Sequence, residues 1–278
     1  NYQFFNPKAG ITYSAAPSQK LYASVGIAHR EPTRSNLIDN DELPTSEQLR
    51  NVELGYRYSL PRFSLNANYY LMHYKNQLVL TGNLNDVGYP VQQNVPVSYR
   101  TGFELNGNLK AGSKIEIQAN VTTSINKIET FTQLTGVFDN DFNYLRDTLI
   151  AYQHTDIAFS PDFIANANIN YQPFKQLTAS FMTNYVSRQF LDNTSNPDRT
   201  LKPYFFSNLL LTYNLQPKWA KNIELSLLVN NLFNSLYESN GWTYFLLFEQ
   251  ENAVSPQSYN HYYPQAGINF LAGLKLEL

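Results

Sequence analysis

The sequence contains no cysteine and few charged residues. Its 278 residues include 20 lysines and arginines and 22 aspartates and glutamates, which gives a net charge of −2 and a charged fraction of 15%, against about 25% in ordinary soluble domains. Without cysteine the chain cannot build a zinc ribbon, a disulfide scaffold or a thiol active site. A near-neutral chain without a basic stripe also fits nucleic acid poorly, so we expect no nucleic-acid partner.

Long apolar runs are missing as well. No stretch reaches the roughly 18 apolar residues that a membrane-spanning helix needs. What the chain has instead is aromatic residues, with 21 tyrosines and 18 phenylalanines in an aromatic share of 15%. This content excludes a disordered chain, because disordered segments are poor in aromatic side chains.

Polar and apolar residues alternate along most of the chain. At the C-terminus Phe270, Leu274 and Leu276 alternate with Gly273 and Lys275, and a period of two is the signature of a β-strand rather than a helix. The pattern recurs upstream, with amides and hydroxyls dominating the polar face, at 64–71, 103–110, 115–126, 163–171 and 223–230. A soluble all-β domain would also alternate, but a uniformly amide-rich polar face suits the water-filled lumen of a barrel.

The connections between these segments alternate in length. Short turns are predicted near Pro17-Ser18, Pro61-Arg62, Gly112-Ser113, Pro173-Phe174 and Pro217-Lys218, and long loops at 31–48, 82–97, 133–157, 191–203 and 241–264. Short turns at one end and long loops at the other are typical of bacterial outer-membrane barrels. We therefore predict an all-β protein, a transmembrane antiparallel up-and-down β-barrel in the bacterial outer membrane.

The number of strands is odd. The sequence provides about eleven, whereas single-chain bacterial barrels have even numbers. An isolated half-barrel would expose two unpaired edges to lipid, which cannot hydrogen-bond them. We therefore expect residues 1–278 to be the C-terminal part of a larger barrel, or one chain of a split barrel. We also expect the first strand, at 7–14, not to pair with the last.

Three segments resemble those of one protein family. Arg30-Glu31-Pro32 precedes a Glu47, Asn51, Glu53-Leu54-Gly55 pattern, and a Val-Asn-Asn-Leu-Phe-Asn-Ser-Leu-Tyr run occupies 229–237. Together with the final strand at 264–278, these resemble the barrels of TonB-dependent outer-membrane receptors. The chain departs from the pattern at Pro44, which is separated from Glu47 by two residues, and at its terminal Leu278, where an aromatic residue is commoner.

This resemblance implies a 22-stranded barrel filled by an N-terminal plug, with this chain as the second half. The plug, the first barrel strands and the segment that contacts the TonB complex would lie upstream. The activity implied is energised uptake of a scarce, bulky nutrient rather than enzymatic catalysis. The segments 74–82 and 98–104 look like the iron-complex branch, so a ferric siderophore is the first expected cargo. Haem or another metal chelate, a glycan, a peptide, cobalamin and a passive porin remain alternatives.

Aromatic residues in two long loops are candidates for ligand binding, because aromatic faces stack on siderophores, haem or sugar rings. The alternative is that they pack the loops together or extend the upper aromatic girdle. The candidates are Tyr144, Tyr152, Trp242, Tyr244, Phe245, Tyr259 and Tyr262.

Five charged residues point to the lumen by strand parity, and their mixed charge could contact the plug. They are Arg30, Glu53, Arg57, Arg100 and Glu104. We expect Arg30 and Glu53 to help seat the plug; a plain role in hydrating the wall or pairing with neighbours is the alternative.

No residues are expected to bind a metal or cofactor or to act in catalysis. His154 and His261 lie in long loops without local metal spacing. The aspartates at 139, 141, 147 and 156 do not follow an EF-hand pattern.

Overall fold

The computed structural model describes residues 2–39, 43–250 and 253–278. In chain order its elements are β1 (Lys8–Ala16), β2 (Gln19–Arg30), α1 (Arg34–Ile38), β3 (Glu47–Leu60), β4 (Phe63–Leu84), β5 (Pro90–Ala111), β6 (Ile115–Phe138), β7 (Tyr144–Asp156), β8 (Phe163–Phe174), β9 (Leu177–Val186), β10 (Gln189–Phe190), β11 (Thr200–Leu201), β12 (Tyr204–Leu215), β13 (Asn222–Asn230), β14 (Glu238–Gln250), β15 (Ala253–Pro264) and β16 (Asn269–Glu277). No helix within these ranges is long and apolar enough to cross a membrane.

One antiparallel sheet forms the wall of the molecule. Its strands follow one another in the order β1-β2-β3-β4-β5-β6-β8-β9-β12-β13-β16, which confirms the predicted up-and-down arrangement of eleven strands. Among the described residues β1 pairs only with β2, and β16 pairs only with β13. The sheet is therefore open, and the prediction that the first strand does not pair with the last is confirmed.

The two faces of the sheet differ as the alternation predicts. Large apolar side chains stand exposed along one face, with Phe270 64%, Leu274 72% and Ile11 72% exposed. A soluble monomer rarely exposes so continuous an apolar surface, whereas a barrel turns such a band toward lipid. The opposite face, which we call the lumen face, carries amides, hydroxyls and scattered charges.

Two tyrosines lie flat along the lumen face because glycines make room for them. The Tyr22 ring occupies the place where a side chain on Gly55 would stand, and its hydroxyl donates to Asn68 Oδ1 at 3.1 Å. At Gly102 a Cβ would come within 2.4 Å of the Thr123 carbonyl oxygen and 2.7 Å of the Tyr70 hydroxyl.

The predicted short turns are present in the structure, whereas most of the predicted long loops contain strands. The β8–β9 turn falls at 175–176, slightly later than predicted. The predicted loops 82–97, 133–157 and 241–264 consist largely of strands: β4 and β5 extend to meet at 85–89, β6 pairs with β7, and β14 pairs with β15. The last of these hairpins also pairs in parallel with the tip of β6, through Leu247 and Phe248.

The close contacts at Gly102 make it the most informative glycine in β5. We expect Gly102→Ala to destabilise the complete receptor barrel by about 1–3 kcal/mol, because a backbone oxygen blocks the added methyl group. Gly107→Ala in the same strand is the matched control, since its nearest neighbour would be 3.9 Å away. Urea-induced unfolding in lipid vesicles, followed by tryptophan fluorescence, measures both. Equal unfolding midpoints would contradict the prediction.

Candidate functional site

Three connections at the long-loop end of the sheet pack against one another. They are the β6–β7 hairpin, the connection 187–203 and the β14–β15 hairpin, which together we call the loop assembly. Most of the aromatic residues predicted to bind a ligand lie in it. Its packing decides which of those side chains remain free.

A buried arginine lies at the centre of the loop assembly. Arg199 is 1% exposed, its Nη1 donates to Asp192 Oδ2 at 2.6 Å, and its Nε donates to Ser258 Oγ at 2.8 Å. Its guanidinium lies 3.9 Å from the centre of the Phe245 ring, a cation–π contact. Phe245, predicted to contact a ligand, is therefore used in joining the β14–β15 hairpin to the connection 187–203.

Polar contacts also fix the connection 187–203 to the sheet. Asn193 donates to the Leu80 carbonyl oxygen at 2.6 Å and accepts from the Ala158 amide at 2.7 Å. Ser195 Oγ donates to Asp156 Oδ2 at 2.8 Å. This connection thus reaches from β9 as far as β4.

Tyr152, another predicted ligand residue, packs beneath the loops. Its ring lies against a buried apolar cluster, and its hydroxyl is 3.5 Å from Gln133 Oε1. Burial raises the pKa of Tyr152; Arg199 opposes that rise and Asp192 adds to it. The cluster consists of Val79, Val95, Ile128, Phe131 and Ile157.

A ladder of stacked rings runs along one face of the β14–β15 hairpin, half-buried at Trp242 and Tyr259 and exposed at Tyr244 and His261. Trp242 stacks on His261 at 4.6 Å and on Tyr244 at 5.4 Å, and Tyr244 stacks on Tyr259 at 4.8 Å between ring centres. These four residues are cross-strand partners in register. The ring ladder therefore brings together three of the predicted aromatic residues and adds His261 as a stacking partner.

The remaining predicted aromatic residues lie elsewhere. Tyr262 donates its hydroxyl to the Thr200 carbonyl oxygen at 3.2 Å. Tyr144, at the start of β7, is 58% exposed and makes an edge contact with Phe138 at 5.8 Å.

A second stacked group was missed by the sequence analysis. Tyr237 lies between Tyr204 and Phe206, with ring centres 4.9 and 5.3 Å away. The alternation along β12 could have placed Tyr204 and Phe206 on the lumen face, because Phe205 between them lies on the apolar face.

The predicted lumen charges lie on β2, β3 and β5, but two of them already have partners. Arg30 Nε pairs with Glu47 Oε2 at 2.5 Å, and buried Glu47 also accepts from the Leu78 amide. Arg100 donates to Asn126 Oδ1 at 3.1 Å and to Ser160 Oγ at 2.9 Å. The sequence analysis placed Glu47 in the family motif but did not predict that it pairs with Arg30.

Two of the other three lumen charges accept hydrogen bonds from asparagine side chains. Glu53 accepts from Asn51 at 2.8 Å, and Glu104 is 3.5 Å from the Asn68 amide nitrogen. Within residues 2–39, 43–250 and 253–278, no ion pair involves Glu53, Arg57 or Glu104.

No group of three histidine, aspartate or glutamate side chains comes together in the described part of the chain. The acidic residues of the β6–β7 hairpin serve local structure instead. Asp139 Oδ1 accepts from the Asp141 and Asn143 amides at 2.9 Å, and hydrogen bonds, chiefly from the Asn143 side chain, lower the pKa of Asp139. Asp156 pairs with Lys127 at 2.6 Å.

The comparisons with known proteins identify the family. A protein-family model described as "TonB dependent receptor-like, beta-barrel" matches residues 1–232. The chain belongs to this family. The predicted family, the barrel fold and the bacterial outer membrane as its location are thereby confirmed, and the family is one of transport receptors rather than enzymes.

Solved structures share the fold at low sequence identity. The siderophore receptor PiuA from Acinetobacter baumannii is 18% identical with a TM-score of 0.69, over 96% of this chain and 35% of that one. The ferric yersiniabactin uptake receptor FyuA from Yersinia pestis is 18% identical with a TM-score of 0.61, over 95% and 36%. The copper transporter OprC is 17% identical with a TM-score of 0.65, over 96% and 39%.

The chain thus spans about a third of the length of these receptors. A search of curated protein sequences gave no significant match.

The buried arginine of this receptor barrel should hold the loop assembly together. We expect Arg199→Ala to destabilise it locally by about 3–5 kcal/mol, because Asp192 is left as a buried, unpaired charge. Hydrogen exchange of the backbone amides in 187–203 and 241–262 measures the loss. Arg146→Ala is the control: it removes a solvent-exposed ion pair with Glu249 in the same assembly, worth about 1 kcal/mol or less. Similar exchange in both variants would count against the buried pair.

Proposed function

We propose that residues 1–278 form the C-terminal part of a TonB-dependent receptor barrel that takes up an iron complex, with a ferric siderophore as the first candidate. The observation that carries the proposal is the partly exposed ring ladder above a polar lumen. Two of the structural relatives named above are receptors for siderophores or their ferric complexes, which supports this choice of cargo. The barrel would insert in outer-membrane lipid, and the TonB complex would act through a segment upstream.

The ring ladder supplies the chemistry of capture. Trp242, Tyr244 and Tyr259 stack on one another along one side of a hairpin, and a ring at the end of such a stack offers a face to a flat ring of a chelate. The rest of the loop assembly is tied to the sheet, so the ladder is held in place before a ligand arrives. Haem or another metal chelate is the second candidate cargo, and a glycan is the third, because sugar rings also stack on aromatic faces.

The lumen charges supply contacts for a plug. Glu53, Arg57 and Glu104 have no ion-pair partner among the described residues, and charges inside a barrel are stabilised by pairing. We assign these three residues to contacts with the plug. Arg30 is less available for contact with the plug, because its side chain already pairs with Glu47.

Energised iron uptake tests the proposed function. Under iron limitation, cells that express the complete receptor should accumulate radioactive iron from at least one ferric siderophore, and an uncoupler of the proton gradient should abolish the accumulation. Cells lacking the gene are the control, and haem and glycans are assayed in parallel. If iron starvation changes neither expression nor growth, and no ferric complex accumulates, the iron assignment is wrong.

The ring ladder should account for part of the affinity. We expect Tyr244→Ala to weaken binding of the transported complex about two- to tenfold, the equivalent of about 0.5–1.5 kcal/mol for an aromatic pair. Tyr89→Ala, which removes an exposed aromatic residue of the β4–β5 turn outside the ladder, should leave affinity unchanged. Titration of purified complete receptor by intrinsic fluorescence measures both. Equal losses in the two variants would show that the ladder has no special role.

A further inference from the structure

A row of asparagines crosses the lumen face of five neighbouring strands. In register, Asn66 of β4 pairs with Asn106, which pairs with Asn120, then Asn166, then Asn184 of β9. Their side chains form part of a hydrogen-bonded chain, since Asn120 donates to Asn106 Oδ1 at 3.2 Å and Asn166 donates to Asn120 Oδ1 at 2.9 Å. We call these five residues the asparagine row.

The asparagine row lines an open groove of about 810 Å³, together with further amides at Asn108, Gln118, Asn168 and Asn208 and with Arg57 at its β3 side. The Oδ1 atoms of Asn66 and Asn168 are buried and have no hydrogen-bond partner within the described residues. A buried acceptor is stabilised only when it receives a hydrogen bond. The groove therefore offers hydrogen-bonding capacity that the described chain does not use internally.

Charge is distributed unevenly around the lumen. The strands β8, β9 and β12 contain no aspartate, glutamate, lysine or arginine, and we call them the uncharged wall. The predicted lumen charges all lie on β2, β3 and β5, which with β4 we call the charged wall.

These two walls would hold a plug with different strength. Separating a buried ion pair leaves unpaired charges in a poorly solvated place, whereas an amide contact exchanges for water with little net change in free energy. A plug drawn by TonB would therefore part from the uncharged wall first.

The same wall suits a moving solute. Passage requires sites that bind well enough to admit the solute and weakly enough to release it. Amides repeated across neighbouring strands provide donors and acceptors at successive positions without a fixed charge that would trap the solute.

Building on the proposed function, we infer that the solute passes along the uncharged wall, past Asn166 and Asn184 of the asparagine row, while the charged wall retains the plug. The solute that fits this surface is a polar chelate rich in hydrogen-bond donors and acceptors.

Single cysteines distinguish the two walls, because the 278-residue chain has none of its own. Asn166→Cys places a thiol at the centre of the uncharged wall, and Ser24→Cys places one beside Glu53 on the charged wall while retaining every charge. Each variant of the complete receptor, with any upstream cysteine replaced, is treated in intact cells with a membrane-impermeant maleimide and the ferric complexes of the uptake assay. The rate of maleimide labelling at each cysteine is compared between cells with and without an uncoupler of the proton gradient.

We expect labelling of Asn166→Cys to be several-fold faster in energised cells than in uncoupled cells, and labelling of Ser24→Cys to be unchanged. If the uncoupler leaves the labelling rate of Asn166→Cys unchanged, or lowers the rate of Ser24→Cys by the same factor, the inference is overturned. Asn184→Cys in the same row replaces Asn166→Cys if that variant fails to insert. Iron accumulation is measured separately with the unmodified receptor, so its absence counts against the proposed function only.

Discussion

The structure depends on one requirement of the lipid environment, which is that backbone amide and carbonyl groups must find partners within the protein. Eleven strands meet it by pairing with their neighbours in chain order. The same requirement makes β1 and β16 significant, because each has a neighbour on one side only among the described residues. Lipid offers no partner to such an edge, which supports the proposal that this sheet is completed by further strands of a larger barrel.

That requirement explains which parts of the fold can be read from the sequence. Where a strand has lipid on one side and water on the other, as in β13 and β16, the side chains alternate and the prediction is correct. Beyond the bilayer this contrast ends, and polar and apolar side chains no longer alternate in a way that predicts a strand. Strand β14 is the clearest case, because one face packs on Arg199 through Phe245 while the other carries the ring ladder. Apolar side chains on both faces made that segment read as a loop.

The candidate site shows a similar division. Composition indicated that aromatic side chains would gather in the long connections, and they do. It did not indicate that Phe245 would pack against Arg199 or that Tyr152 would pack against an apolar cluster. Nor did it indicate that Tyr262 would donate to a backbone carbonyl oxygen. Those roles depend on which connections meet in space, and neither spacing nor residue type encodes that. The sequence does not mark Arg199 as a buried residue, because two of its contacts, Ser258 and Phe245, lie about 50 residues away in the β14–β15 hairpin.

The buried arginine also relates the capture surface to the lumen wall. The connection 187–203 that contains it joins β9 to β12, two strands of the uncharged wall, and the β14–β15 hairpin with the ring ladder is fastened to that connection through Phe245 and Ser258. A hairpin that moved alone would leave the Arg199–Asp192 ion pair intact, but it would break the hydrogen bond to Ser258 and the cation–π contact with Phe245. These two contacts favour movement of the hairpin and the connection as one unit. A ligand that displaced the ring ladder would act first on the tops of β9 and β12, on the same side of the lumen where hydrogen bonds rather than ion pairs line the wall.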